Sequence, residues 1–342
     1  MSKSKNFFFR INSDKKIGFG HLARCLKIAN ALKKKCFFLV DKKSDNKFFN
    51  NINHNFISLY NTKKYQNQIN DAKKINRVIG KFKNVYLIVD DYRIGVKWHT
   101  YFKEKNIKII IIDDLLNRKF KCDMYLNFKL DNSVEFKKKI KSYVNDDSIK
   151  LIGPRYSIIE KKLVKKNNNF FNVMINFGNS SDFKTISNQI IKIHKFLEQK
   201  LPKLKMYLPI GDGAANFQKL INYSKKFNNV KIIFKKFGIS EYLNNVNLFI
   251  GSASTSIYEM SYLSTPSIFL ICNKTQDYNI SEIEKLGHYF LLNLKDFKQK
   301  KFLTFLDNYL DNYKEIKKLY SSRKVIIDNL GVNRVVDEIR KI

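Results

Sequence analysis

His21 stands where a strand, a glycine turn and a helix meet, within Ile17-Gly18-Phe19-Gly20-His21-Leu22-Ala23-Arg24-Cys25-Leu26. Before it, Phe7-Phe8-Phe9-Arg10-Ile11 reads as a short buried strand. After it, Leu22, Leu26, Ile28, Ala29 and Leu32 recur at helical spacing. Glycine lacks the Cβ that blocks close approach, so Gly18 and Gly20 let backbone N–H groups and a helix start come near an anion. An imidazole with an ordinary pKa near roughly 6.5 can take a proton from water at neutral pH. Gly-x-Gly also marks ordinary tight turns, so the chemistry rests on the histidine at the join. Arg24, one turn on, can face the same ligand or pair with a strand-end carboxylate.

A second stretch, Ser252-Ala253-Ser254-Thr255-Ser256, leads into a helix bearing Glu259. It offers several possible N-caps, and a helix start is a seat for a diphosphate. A first-turn glutamate can accept from both hydroxyls of a ribose; as plain structure, it complements the helix dipole. Gly178-Asn179-Ser180-Ser181-Asp182 is another strand-to-helix loop of this kind. Acidic pairs close two apolar runs, at Asp90-Asp91-Tyr92 and at Asp113-Asp114. His54, His99, His194 and His288 have no partners at ligand spacing and read as surface or packing residues; no metal site is expected. Trp98 reads as a packing residue.

The elements that must position these groups alternate strand and helix. Strands are expected at 7–11, 36–40, 85–89, 107–112 and 124–127, with helices over 20–34 and about 97–105 and helical material through about residue 82. Gly153-Pro154 then ends regular structure. Beyond it, strands are expected at 170–177, 206–210, 230–234, 248–251 and 266–272. Helices are expected at 183–199, 216–226, 239–245, from the serine run to about 263, and at 280–287, 302–310 and 313–329. Nearly continuous apolar strands separated by helices indicate parallel sheets covered on both faces. The expected fold is α/β, with two doubly wound, Rossmann-like domains at 1–153 and 154–330 facing a cleft, and a helix over 331–342 packing back on the first. In such sheets ligands bind at the C-terminal ends of strands, where both acidic pairs fall.

The chain has 342 residues, 44% of them hydrophobic, the make-up of a globular protein with room for two cores. Its net charge is +35. The lysines are spread along the chain, without a basic tail, an RNA-binding signature or a Cys/His finger, so no nucleic-acid partner is expected. Cys25, Cys36, Cys122 and Cys272 are widely spaced and form no C-x-x-C pair; they read as buried thiols in a reducing compartment. No run approaches the roughly 18 apolar residues of a membrane span, and the N-terminal apolar run is too short for a signal peptide. A cytoplasmic monomer without membrane insertion is expected.

Three blocks in order, IGFGHLARCLKIA, then VDDYRIGVKW with IIDDLLNRKFKCDMYLN, then IGSASTSIYEMSYLSTPS with the later Gln276, carry a resemblance. GPRYSII at 153–159 and GVNRVVDEI at 331–339 extend it over nearly the whole chain. The sequence resembles the UDP-sugar hydrolases of pseudaminic acid biosynthesis, which act on UDP-2,4-diacetamido-2,4,6-trideoxy-β-L-altropyranose. That family is similar in fold to MurG-type GT-B glycosyltransferases. The resemblance implies that His21 is the catalytic base, that Glu259 and Ser252–Ser256, with Ser254, Thr255 and Ser256 foremost, hold the uridine diphosphate, and that Asp90 and Tyr92 lie near the sugar. Gly18, Gly20, Arg24, Gly178, Asn179 and Gln276 complete the expected substrate contacts. Two places depart from the family: two adjacent glycines and an aspartate are replaced by Gly178-Asn179-Ser180-Ser181-Asp182, and Asn-Gln by Thr275-Gln276. Both bear on the identity of the sugar.

Such a substrate carries its own leaving group. A terminal phosphate has a second pKa of about 6, so departing UDP needs its charge stabilised more than it needs a proton. One histidine to activate water then suffices, without the carboxylate pair of ordinary glycosidases, and no cofactor is called for. The expected reaction is hydrolysis by C–O cleavage at the anomeric carbon with inversion, within surface-glycan or flagellin-glycan biosynthesis. The alternative is a GT-B glycosyltransferase that moves the sugar to an acceptor; a third reading is a non-catalytic sugar-nucleotide binder.

Overall fold

The computed structural model describes residues 4–12, 20–41, 52–60, 65, 67–166, 169–178, 183–210, 218–234, 239–272, 280–287 and 289–342. The chain forms two compact units. The first runs through Ile158 and takes up Leu330–Ile342; the second is Ile159–Asn329.

In the first unit the order is β1 (Asn6–Ile11), α1 (Gly20–Leu32), β2 (Phe37–Val40), β3 (Asn55–Ser58), α2 (Gln68–Ile79), β4 (Val85–Asp90), α3 (Val96–Lys103), β5 (Lys108–Ile112), β6 (Met124–Asn127), α4 (Val134–Tyr143) and β7 (Ile149–Ile152). The strands make one parallel sheet of order β3-β2-β1-β4-β5-β6-β7. Phe7, Phe8, Phe9 and Ile11 are buried because helices cover both faces of this sheet. Phe8, Leu39, Leu87, Val89, Ile109 and Ile111 share one core with Ala72, Ile75 and Ile79 of α2 and Trp98 and Phe102 of α3. Trp98 thus packs, as its sequence suggests.

In the second unit the order is β8 (Phe171–Asn176), α5 (Phe183–Lys200), β9 (Leu204–Pro209), α6 (Gln218–Ser224), β10 (Val230–Ile233), α7 (Ser240–Leu243), β11 (Leu248–Ser252), α8 (Ser256–Tyr262), β12 (Ser267–Ile271), α9 (Ile280–Gly287), β13 (Phe290–Asn293), α10 (Leu294–Phe297), α11 (Lys301–Asp311) and α12 (Tyr313–Leu319). Its sheet is also parallel, of order β10-β9-β8-β11-β12-β13. β11 and β8 run so close that a Cβ on Gly251 would lie 2.1 Å from the Asn176 carbonyl oxygen. The last helix, α13 (Gly331–Lys341), lies on α1 in the first unit. Its start is tight as well: a Cβ on Gly331 would lie 2.2 Å from the Ser157 carbonyl oxygen.

Three strands go beyond the sequence reading, namely β3, β7 and β13. Each is a sheet edge. An edge strand is covered on fewer sides, so it needs no continuous apolar run, and β3 has no fully buried residue. β6 is therefore not the last strand of its sheet. The stretch expected as one helix over 313–329 is shorter: α12 stops at Leu319, a 3₁₀ turn spans Tyr320–Ser322, and the rest is irregular.

Strand order fixes where chemistry can occur. In the first sheet the chain lays β2 and β3 on one side of β1, then crosses to place β4 on the other. The ends of β1 and β4 are paired, Ile11 opposite Asp90. The helices that come next, α1 and α3, lie on opposite faces, the arrangement that opens a crevice between strand ends. In the second sheet the same reversal falls between β8 and β11.

Candidate functional site

The C-terminal end of β4 carries two consecutive carboxylates that serve different neighbours. Successive strand residues point to opposite faces. Asp90 points toward α1; Asp91 continues the face of Leu87 and Val89, toward α2.

On the α1 side, His21 Nδ1 lies 2.6 Å from Asp90 Oδ1. Arg24 donates to both oxygens of Asp90, from Nε and Nη2, each at 2.5 Å. Arg24 Nη1 donates to Asp114 Oδ2 at 3.1 Å, and the Tyr92 hydroxyl donates to Asp114 Oδ1. The edge of Tyr92 meets the His21 ring, with centroids 4.8 Å apart at 76°. His21, Asp90, Arg24, Asp114 and Tyr92 therefore close into a ring of contacts. Beneath it, the Cys25 thiol donates to Asp90 Oδ2 at 3.5 Å.

Helix geometry explains the grouping. His21 and Arg24 are three residues apart on α1, hence on one face, and Cys25 is four from His21. Gly20 opens the helix, and a Cβ there would meet nothing within 4 Å.

The electrostatics assign the tautomer. Arg24 Nη2 lies 3.2 Å from His21 Nδ1, but the 2.6 Å contact to Asp90 decides. A bare Nδ1 would press its lone pair against a carboxylate oxygen, which only accepts. Nδ1 therefore carries a proton, and in the neutral imidazole Nε2 is the acceptor. Among the described residues no group bonds Nε2, and the side chain keeps 12% of its exposure. Burial alone would raise the Asp90 carboxyl, but Arg24 and then His21 hold it well below the usual carboxylate range. Burial would lower the Arg24 guanidinium, and Asp90 with Asp114 raises it well above its ordinary value. The Tyr92 phenol is pushed up by burial and by Asp114 and Asp90, so it stays a donor. Burial, seconded by Asp90, raises the Cys25 thiol and keeps it protonated.

On the α2 side, Arg10 is fully buried. It donates from Nη2 to Asp71 at 2.8 Å and Asp41 at 2.6 Å, and lies 3.6 Å from Asp91. Trp98 Nε1 and the Tyr60 hydroxyl donate to Asp71 at 3.1 and 2.9 Å. Arg93 bridges Asp41 and Asp91. Asp113 pairs with Arg118 at 2.8 Å and accepts from the Leu116 amide.

In the second unit, Ser252, Ser256 and Glu259 are buried at the β8/β11 reversal. The serines do not cap α8. The cap position is Thr255, which makes no side-chain cap bond; Ser256 Oγ instead donates back to the Ser252 carbonyl at 3.1 Å and lies 3.2 Å from Ser254 Oγ. The Ser256 hydroxyl thus ties the turn to its own backbone, and the Ser254 hydroxyl pairs with it. Gly178 follows β8 with φ +59°, and a Cβ there would meet nothing within 4 Å.

Of the expected site residues, His21, Gly20, Arg24, Asp90 and Tyr92 come together in the first unit. Gly178, Ser254, Thr255, Ser256 and Glu259 follow the switch-point strands of the second. Gly18, Asn179 and Gln276 lie outside the described residues. Asp114 and Cys25 belong to the His21 cluster but were not among the expected contacts. The second acidic pair signals Asp114; nothing in sequence signals Cys25. Among the other histidines, His99 and His194 are buried, and His54 Nε2 meets Asn30 at 3.0 Å; His288 lies outside the described residues. Among the described residues there is no group of three or more His, Cys, Asp or Glu that could hold a metal ion, and no helix is long and apolar enough to cross a membrane.

Two doubly wound parallel-sheet units in series define the GT-B class. The chain superposes on the MurG of Acinetobacter baumannii with a TM-score of 0.62, at 13% identity, over 98% of this chain and all of that one. Against the UDP complex of MnaA from S. aureus the TM-score is 0.66, at 9% identity, over 99% and 96% of the two chains. By sequence, the chain is 25% identical over 289 residues to the UDP-2,4-diacetamido-2,4,6-trideoxy-β-L-altropyranose hydrolase of Campylobacter jejuni, covering 82% of this chain and 96% of that protein. It is also 24% identical over 279 residues to the uncharacterized protein MJ1062 of Methanocaldococcus jannaschii, covering 76% of this chain and 54% of that protein. No family model matches the chain.

Proposed function

We propose that this protein is an enzyme acting on a UDP-sugar, and that its reaction is hydrolysis of a UDP-2,4-diacetamido-2,4,6-trideoxyhexose in pseudaminic (nonulosonic) acid biosynthesis. The observation that carries the reading is the His21–Asp90 pair, with Nδ1–H tied to a carboxylate and Nε2 left to accept. The 25% identity to the Campylobacter hydrolase supports the substrate class.

In this reading a water molecule gives its proton to His21 Nε2 as its oxygen attacks the anomeric carbon. The C–O bond to the diphosphate breaks on the opposite face, the configuration inverts, and UDP leaves with the bonding electrons. Asp90 stabilises the imidazolium that forms, and Arg24 keeps Asp90 ionised for that task. Gly18 and Gly20 leave room for the sugar. The uridine diphosphate belongs with Ser254, Thr255, Ser256 and Glu259, joined by Gly178, Asn179 and Gln276. The enzyme acts as a cytoplasmic monomer and needs neither metal nor cofactor.

The test is incubation with the UDP-diacetamido sugar and no acceptor, in H2¹⁸O. Release of UDP with the label in the free sugar is expected. Label in the phosphate overturns C–O cleavage. Turnover only with an added acceptor overturns hydrolysis in favour of the glycosyltransferase that the GT-B fold also accommodates.

A further inference from the structure

Asp114, just beyond β5, has one task that is plain and one that is not. It accepts from Arg24 Nη1 and from the Tyr92 hydroxyl, which ties two members of the ring together. Unlike Asp90, whose side chain is sealed at 0%, Asp114 keeps 28% of its side-chain exposure. Among the described residues each oxygen of Asp114 receives one donor. A carboxylate has roughly four acceptor positions, so each oxygen retains capacity on the open side.

The charge count sharpens this. Two carboxylates, Asp90 and Asp114, share one guanidinium, Arg24. With His21 neutral the described side chains of the ring carry one net negative charge. Neighbouring Asp113 is matched by Arg118 and adds none. Arg24 holds Asp90 with two bonds of 2.5 Å and Asp114 with one of 3.1 Å. The surplus negative charge therefore lies on the ring's one partly exposed carboxylate. A glycosyl group losing its leaving group develops oxocarbenium character, with positive charge at the anomeric carbon and ring oxygen.

We infer that Asp114 is a second catalytic carboxylate: it touches the sugar and stabilises the positive charge that develops there, while His21 delivers the water. The inference rests on the hydrolase reading. No covalent bond to Asp114 forms; its contribution is electrostatic and pre-aimed.

The experiment compares Asp114→Ala and Asp114→Asn with wild type for release of UDP, alongside calorimetric UDP binding. Wild type that releases no UDP removes the hydrolase reading itself. Given an active wild type, both variants should lose roughly 10²-fold in kcat, the scale of removing one aimed electrostatic group, with UDP affinity kept. Added formate, a small carboxylate, should restore part of the loss in Asp114→Ala; neutral formamide should not. Wild-type kcat in either folded variant overturns the inference. So does equal rescue by formamide, which would leave Asp114 only the holding of Tyr92 and Arg24, and so does absence of any rescue in a folded Asp114→Ala. Should Asp114→Ala fail to bind UDP, Asp114→Asn decides alone through kcat at unchanged UDP affinity.

Discussion

Asp90 and Asp91 are chemically identical neighbours at the end of one strand, yet they belong to networks of opposite character. Asp90 joins a ring with two open members: among the described residues no group bonds His21 Nε2, and Asp114 keeps part of its surface. Asp91 joins a cluster with a buried centre, where Arg10 and Arg93 pair with Asp41, Asp71 and Asp91, Trp98 and Tyr60 complete the bonding of Asp71, and only Asp41 and Arg93 reach the surface. Both combine carboxylates, guanidinium groups and aromatic donors. What separates them is the exposed member: Asp41 and Arg93 pair with each other, whereas among the described residues no group bonds His21 Nε2. A network whose donors and acceptors are all engaged can only hold elements together; one that leaves a lone pair facing outward can move a proton.

This contrast can be broken by exchanging the expected phenotypes. The largest effect should come from the Asp91 side. Arg10→Met leaves buried Asp71 and Asp91 and the partly exposed Asp41 with one remaining guanidinium, and a broken buried pair costs about 3–5 kcal/mol. Denaturant unfolding should show that loss, while kcat per folded molecule stays near wild type; a drop in kcat at full stability would make Arg10 part of the site. The converse is expected for His21→Asn. UDP release should fall by roughly 10²-fold or more, the scale of a general base, with the unfolding midpoint and UDP binding kept. A variant that keeps its activity removes His21 from the mechanism.

Asp90→Asn refines the contrast. An amide can no longer stabilise an imidazolium, so kcat should fall by roughly 10–10²-fold, the scale of a removed supporting partner. Because the native carboxyl lies well below its ordinary range, its ionised form contributes stability above the unfolded pKa, and that contribution disappears as the pH falls through the native value. Wild type should therefore lose more stability on strong acidification than Asp90→Asn; equal acid profiles would remove the Arg24 and His21 pairing from Asp90.

The smallest effect concerns a titratable group outside both networks. His99 is buried beside Trp98 and Phe120, accepts from the Lys121 amide at 3.4 Å, and leaves Nε2 unpaired. Burial, and then nearby Arg118, pushes its imidazole down to about 3 from 6.5. Between those values the unfolded chain binds a proton that the folded chain does not, so stability falls as pH drops below 6.5. His99→Phe should flatten the dependence of unfolding free energy on pH between 6.5 and 4, by at most about 1.4 kcal/mol per unit. An unchanged slope would place the acid sensitivity elsewhere.

Much of the fold is legible in sequence where burial is complete. Phe7-Phe8-Phe9, Val85–Val89 and Ile109–Ile112 are interior strands, covered on both faces, and their composition says so. β3, β7 and β13 escape because an edge strand is defined by the partner it pairs with. Part of the site is legible for a related reason. Helical spacing alone puts His21 and Arg24 on one face, and an acidic pair at the end of an apolar run marks a strand end. The serine run after β11 shows the limit: its hydroxyls read as helix caps, but Ser256 donates to the Ser252 carbonyl and Ser254 pairs with Ser256.

By itself, the sequence determined two alternating α/β units, the strand–glycine–helix entry of His21 and the acidic strand ends, because each is set by local periodicity and residue type. Only the tertiary structure decided which carboxylate serves the histidine. That choice depends on three things at once: the reversal of strand order between β1 and β4, the alternation that sends Asp90 and Asp91 to opposite faces, and the placing of α1 and α2 on those faces. None of these is a property of Asp90 or Asp91 alone, and so one Asp-Asp pair joins the His21 cluster on one face and the Arg10 cluster on the other.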